Sequence, residues 1–197
     1  MIYYGMPEFR PNFLGDDRDF MVDVNKKNVG SLYYDLLLAF RSEEEINRLQ
    51  FFDSLHLCSG MGLSESQLAD LLGIPVDRRH HVDYQYPPKY WDPPRGKLHP
   101  ADIFTFLGGD WMNDVSPRSV GLATLIGAEY LFTYGQEQRW ANAITNLKQI
   151  LIPGGYLIIH SAGSSHSLID YFVRDQNGIS IGDCTGIYTF PESQMLL

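Results

Sequence analysis

The stretch Leu55-His-Leu-Cys-Ser-Gly-Met-Gly-Leu-Ser-Glu-Ser-Gln-Leu-Ala69 decides the fold. Its apolar run, Leu55 to Cys58, ends in a Ser-Gly-x-Gly break, after which polar and apolar residues recur at helical spacing; this reads as strand, tight loop and helix. Gly60 and Gly62 permit positive φ and a close approach of the backbone to a ligand. Ser64 followed by Gln67 fits a capping box, so a helix is expected to begin there and to turn its first amides toward whatever the loop holds.

On the N-terminal side, residues 1–30 hold Pro7, Pro11 and the cluster Asp16-Asp17-Arg18-Asp19 without clear periodicity, and read as an arm or cap. From Ser31 the spacing of Leu32, Leu36 and Phe40 gives a helical apolar face, and Ser42 ahead of Glu43, Glu44 and Glu45 starts a second short helix. On the C-terminal side, Gly73 and Pro75 stop the helix after the loop, and a short strand is expected at about His80 to Tyr84. Asp83 lies near its end, 23 residues after Gly60, the distance at which a carboxylate can accept both hydroxyl protons of a nucleoside ribose in a Rossmann-like unit.

Five prolines between Tyr86 and Pro100 exclude a long helix or central strand there. The run Asp102-Ile-Phe-Thr-Phe-Leu107 reads as a buried strand, with Gly108, Gly109 and Asp110 as a ligand-facing loop after it and Trp111 as pocket wall or core. Pro117 behind Ser116 predicts a helix reaching Phe132, and Trp140, Ile144, Leu147 and Leu151 predict another from Gln136 to Leu151. Pro153-Gly154-Gly155 precedes a strand at Tyr156 to Ile159. Residues Ile179 to Ile181 and Ile187 to Phe190 look like a closing hairpin.

A chain of 197 residues with 44% hydrophobic content supports one domain, taken as residues 31–197 behind the arm. The net charge of -9 opposes a surface that grips nucleic acid through phosphates. Two cysteines, Cys58 and Cys184, a start that is neither basic nor continuously apolar, and no run of membrane-spanning length predict a soluble cytoplasmic protein without a membrane partner. No Cys-x-x-Cys or His-Glu-x-x-His spacing occurs, so no structural zinc is expected.

Three motifs in order, Leu57-Cys-Ser-Gly-Met-Gly62, the run from Asp102, and Leu151-Ile-Pro-Gly-Gly-Tyr-Leu-Ile-Ile159, resemble the class I S-adenosylmethionine-dependent methyltransferases. The resemblance implies an α/β, Rossmann-like fold: a mostly parallel sheet with helices on both faces, a C-terminal antiparallel hairpin and a reduced third-strand region. It implies S-adenosylmethionine as cofactor, held by Ser59, Gly60, Met61, Gly62, Asp83, Tyr84, Gly108, Gly109 and Asp110. Asp110 and His160 are the catalytic candidates, His160 because imidazole titrates near working pH.

This sequence departs from the family in three places, one of them a segment from Gly108 to Leu151 that is longer than usual in the family and is expected to cover the acceptor. Cys58 stands where the family's loop has its first glycine, and only 19 residues separate Asp83 from Asp102. The implied activity is methyl transfer to an unidentified acceptor. Two alternatives are an RNA cap methyltransferase and a methyltransferase-like binding module without catalysis. A Lys-Asp-Lys-Glu tetrad for cap 2'-O chemistry is not assembled, because the place of its lysine after the fifth strand holds His160.

Overall fold

The computed structural model describes residues 29–59, 62–83, 95–126, 137–160, 179–181 and 185–189. Two helices come first, α1 (Val29–Phe40) and α2 (Glu43–Asn47). Ser42 caps α2 through a capping box: its hydroxyl accepts from the Glu45 amide, and the Glu45 carboxylate accepts from the Ser42 amide. Then come β1 (Asp53–Leu57), α3 (Leu63–Leu71), β2 (Arg79–Val82), β3 (Lys97–His99), α4 (Ile103–Leu107), β4 (Val120–Ile126), α5 (Glu137–Ile150) and β5 (Leu151–His160). The short strands β6 (Ile179–Ile181) and β7 (Thr185–Thr189) close the order.

The sheet runs β3-β2-β1-β4-β5-β7-β6. Strands β1 to β5 pair parallel, whereas β7 pairs antiparallel with both β5 and β6. The order 3-2-1-4-5 reverses between β1 and β4, and the crevice at the carboxyl ends of those strands is where doubly wound sheets bind ligands.

Two apolar layers sandwich the sheet. On one face α1 and α3 bury Tyr33, Leu37, Leu68, Ala69 and Leu72 against Leu122, Ile126, Tyr156 and Ile158. On the other, α4 and α5 bury Ile103, Phe106, Trp140, Ile144 and Leu147 against Leu55, Leu57, Val82, Leu125, Leu157 and Ile159. Gly30 lets α1 lie directly on α3, since a Cβ there would stand 2.6 Å from the Leu68 amide nitrogen and 2.7 Å from the Ser64 carbonyl. None of the described helices is long and apolar enough to cross a membrane.

Four sequence expectations are corrected. Residues 103–107 form helix α4, not a strand: Asp102 is its N-cap and accepts from the amides of Phe104 (3.0 Å) and Thr105 (3.1 Å), which commits the run to a helical turn. The fourth strand is instead Val120–Ile126, inside the segment read as a helix; all seven of its residues are buried, so it lacks the polar alternation that marks a half-buried strand. Helix α3 begins at Leu63, because left-handed Gly62 (φ 65°) turns the chain into it, and the Gln67 side chain accepts from the Gly30 amide at 3.0 Å rather than closing a capping box. Pro153-Gly154-Gly155 lies within β5 as an irregularity of register, where Leu151 pairs with Val120 and Tyr156 with Leu122; Gly154 takes φ 78° there.

The third strand is present but only three residues long, and it leads into a five-residue helix. This is the reduced third-strand region expected from the short, proline-filled sequence.

Candidate functional site

At the carboxyl end of β1 the chain passes through Cys58, whose φ of 53° is left-handed. For a residue with a Cβ that conformation costs about 1 kcal/mol, and it is the backbone a glycine would supply freely. Cys58 therefore holds a backbone suited to glycine under strain. The Ser59 amide donates to the Val82 carbonyl at 3.4 Å, tying the loop to the end of β2, and the Gly62 amide donates to the Ser59 carbonyl at 2.7 Å, closing a tight turn.

Ser59 is 6% exposed, and its hydroxyl has no hydrogen-bond partner among the described residues. A buried, unsatisfied hydroxyl costs about 1–3 kcal/mol, so its retention beside a glycine turn points to an external partner. Gly60 and Met61, between Ser59 and Gly62, lie outside the described residues.

Asp83 follows β2 directly, is buried, and has its amide bonded to the His99 carbonyl at 3.2 Å. Strand alternation puts Arg79, His81 and Asp83 on the face covered by α3. Arg79 fixes the position of that helix: its guanidinium meets Asp70 at 2.6 Å, the Ile74 carbonyl at 2.9 Å through Nε, and the Ser66 carbonyl at 3.4 Å. The helix thus lies on the face of β2 that carries Arg79, His81 and Asp83.

That first turn carries Glu65, which sequence reasoning missed. Glu65, Leu68, Ala69 and Leu72 follow the i, i+3, i+4, i+7 pattern of a buried stripe, and all four are buried. The spacing alone could have shown a carboxyl at the head of an apolar stripe. Burial raises the Glu65 carboxyl to about 7, and the charge of Asp83 pushes it in the same direction.

The remaining predicted residues divide. Tyr84 lies outside the described residues, as does His166. His160 is the last residue of β5, paired with Ile126 of β4 and Thr185 of β7. Gly108, Gly109 and Asp110 follow helix α4 rather than a strand, so they do not form the expected loop at a strand end; Asp110 is exposed and opens a short 3-10 turn, Asp110–Asn113. Residues 127–136, which follow β4 in the chain, lie outside the described residues. Trp111 is 1% exposed within the core of the α4 and α5 face, so of its two readings it is core.

A row of buried imidazoles crosses β1 to β3. His56 Nδ1 lies 2.9 Å from Thr124 Oγ1 and its Nε2 lies 2.9 Å from Ser54 Oγ; its ring centroid is 4.7 Å from that of His81. On the opposite face His80 Nδ1 and His99 Nε2 are 3.0 Å apart, and His99 Nδ1 faces Asp114 at 3.3 Å. Burial holds His56 well below the usual imidazole range, lowers His80, and pulls His81 to about 3 and His99 to about 4. They are neutral structural groups at physiological pH. No cluster of three or more histidine, cysteine or acidic residues among the described residues can hold a metal ion.

No protein-family model and no curated protein sequence matches the chain. Solved structures do. The Burkholderia thailandensis 1,6-didemethyltoxoflavin-N1-methyltransferase, determined with 1,6-didemethyltoxoflavin and S-adenosylhomocysteine bound, aligns with a TM-score of 0.50 at 12% identity, covering 90% of this chain and 92% of that one. A SAM-dependent methyltransferase from Aquifex aeolicus aligns at 0.49 and 14% identity, covering 73% and 92%. The N-methyltransferase NodS from Bradyrhizobium japonicum WM9 also aligns at 0.49 and 14%, covering 76% and 94%. Sheet order, crevice and the first of these alignments together give the chain the Rossmann-like α/β fold of the S-adenosylmethionine-dependent methyltransferases.

Proposed function

We propose that the chain binds S-adenosylmethionine at the carboxyl edge of β1 and β2 and transfers its methyl group to an acceptor. The observation that carries this reading is the tie between Ser59 and Val82, which brings a buried hydroxyl, without a partner among the described residues, and the Asp83 carboxylate to one edge of the sheet. These groups fit the cofactor. The turn of Ser59, Gly60, Met61 and Gly62 would cradle its methionine part, Asp83 with Tyr84 its ribose, and the first amides of α3 its negative carboxylate. When bound, the cofactor supplies a methyl group activated as a sulfonium.

The protein's part in such a displacement is to position the two reactants and exclude water, so a general base is not obligatory. His160, at the end of β5, is the candidate base if the acceptor must lose a proton. Capped RNA is the acceptor class that the sequence resemblance names, and the net charge of -9 opposes it; absence of filter binding to capped oligomers at low salt, where electrostatic binding is strongest, removes it.

Calorimetric titration with S-adenosylmethionine and S-adenosylhomocysteine tests the main reading. Binding of both is expected, with Asp83→Asn weakening each about tenfold or more, on the order of the loss of one charge-assisted hydrogen bond. No heat and no thermal shift at millimolar ligand overturns it. Tight binding without methyl transfer to any acceptor would favour the binding-module alternative.

A further inference from the structure

We propose that the hollow between α4 and α5 is a binding site for a small organic acid, in which Arg139, Asn142 and Asn146 hold the carboxylate while Phe104 and Ala143 meet its apolar body. The proposal does not depend on the cofactor reading.

The hollow has a volume of about 270 Å³ and is lined by Phe104 and Thr105 of α4 and by Arg139, Asn142, Ala143 and Asn146 of α5. The α5 residues stand at i, i+3, i+4 and i+7, one face of the helix. Arg139 and Asn142 are exposed, whereas Trp140, Ile144 and Leu147 of the same helix are buried in the core beneath, so the hollow opens on the solvent side of the helical layer. It lies just under the size range of pockets for drug-sized ligands, so the acid it takes is small.

Its polar groups are donors. The Arg139 guanidinium sits 4.2 Å from the centre of the Phe104 ring, and that ring meets Trp140 in a T-shaped contact at 4.8 Å. The ring holds the planar fork in place without occupying its N–H edge, and among the described residues Arg139 closes no ion pair. Asn142 Oδ1 accepts from Gln138 Nε2 at 3.1 Å, and Asn146 Oδ1 accepts from Gln149 Nε2 at 3.5 Å. Each carboxamide oxygen is thus engaged along the helix, which leaves the two NH2 groups as donors to the hollow.

The charges around it decide the class of ligand. Arg139 is the third residue of α5, in the first turn, where the helix dipole favours an anion and disfavours a cation. An anion in the hollow therefore meets both the guanidinium and the positive end of the helix. The Arg139 charge also acts on Asp102, but that carboxylate is committed to α4, accepting from the amides of Phe104 and Thr105 and from the Thr105 hydroxyl. Asp102 and the net charge of -9 oppose a doubly charged phosphate more than a singly charged carboxylate. One planar fork and two amides suit the in-plane oxygens of a carboxylate.

The test is a nuclear magnetic resonance titration of the isotopically labelled full chain with sodium benzoate, with benzyl alcohol and inorganic phosphate as comparisons at constant ionic strength. The side-chain NH2 signals of Asn142 and Asn146 and the Nε–H signal of Arg139 are followed. Benzoate should move all of them to saturation with a dissociation constant on the order of 1 mM. Benzyl alcohol, which keeps the ring and lacks the charge, and phosphate should each bind about tenfold more weakly or worse. Arg139→Gln, a change at an exposed position, should weaken benzoate about tenfold. Shifts that do not saturate, an equal response to benzyl alcohol or to phosphate, or unchanged benzoate affinity in Arg139→Gln overturns the proposal. The comparison of the three ligands uses the unsubstituted chain, so it decides the matter even if the variant does not fold.

Discussion

The two halves of the parallel sheet are built from different chemistry. Strands β1 to β3 bury Ser54, His56, Arg79, His80, His81 and His99 beside the apolar Leu55, Leu57 and Val82, whereas β4 and β5 bury Leu122, Leu125, Leu157, Ile158 and Ile159 with Thr124 as a polar exception. The first half depends on groups that must stay paired or uncharged. The second depends on area removed from water, which no proton can change. The glycine turn and both buried carboxyls lie at the end of the first half, so the candidate site sits on the part of the fold that is sensitive to pH.

Truncating each half separates them. Leu157→Ala in the apolar half should cost about 4 kcal/mol in denaturant unfolding, with the same penalty at pH 5 and pH 8. Arg79→Met in the polar half should cost about 3 kcal/mol, because it leaves the Ile74 carbonyl inside without its donor and releases α3 from β2. An Arg79→Met penalty below that of an ordinary surface change would show that the guanidinium is not what holds the helix.

Mild acid should act first on the polar half. A histidine whose folded pKa is depressed gives stability that is complete above its unfolded value of about 6.5 and is lost as pH falls toward the folded value. His81 and His99, at about 3 and about 4, therefore withdraw stability progressively below pH 6.5. From pH 7 to pH 5 the two together should remove on the order of 3 kcal/mol.

Glu65 works against them. Its folded pKa is raised, so its contribution is full below about 4.5 and is lost as pH rises to about 7. Glu65→Gln should therefore be more stable than the parent by about 3 kcal/mol at pH 8, equal to it near pH 4, and steeper in its loss between them. Parallel pH profiles of the two proteins would show that Glu65 is not held protonated. The smallest expected effect is at the loop: Gly62→Ala should cost about 1 kcal/mol from its left-handed backbone, independent of pH.

How much of this the chain declares depends on how local each signal is. The strand and glycine turn after Leu55, the helix start at Ser42, the stripe of α5 and Asp83 at the end of β2 are set by neighbours a few residues apart, and all are legible. Ile103 to Leu107 is not: five residues, four of them apolar, satisfy a buried strand or a helical turn equally, and the Asp102 cap decides. Val120 to Ile126 misleads for the opposite reason. A central parallel strand is apolar on both faces and has no period to detect, while Pro117 ahead of it imitates a helix start. With those two segments exchanged, Gly108 to Asp110 follow a helix instead of the fourth strand.

Cys58 offers a chemical footprint of the site. It is partly buried at the mouth of the glycine turn, and it shares the chain with a single other cysteine, Cys184, so peptide mass spectrometry reads the two separately. The rate at which a small alkylating agent labels Cys58 should fall as ligand fills the turn, measured against the same chain without ligand. The thiol that replaces a glycine thus gives this chain a built-in occupancy gauge that a chain with glycine there would lack.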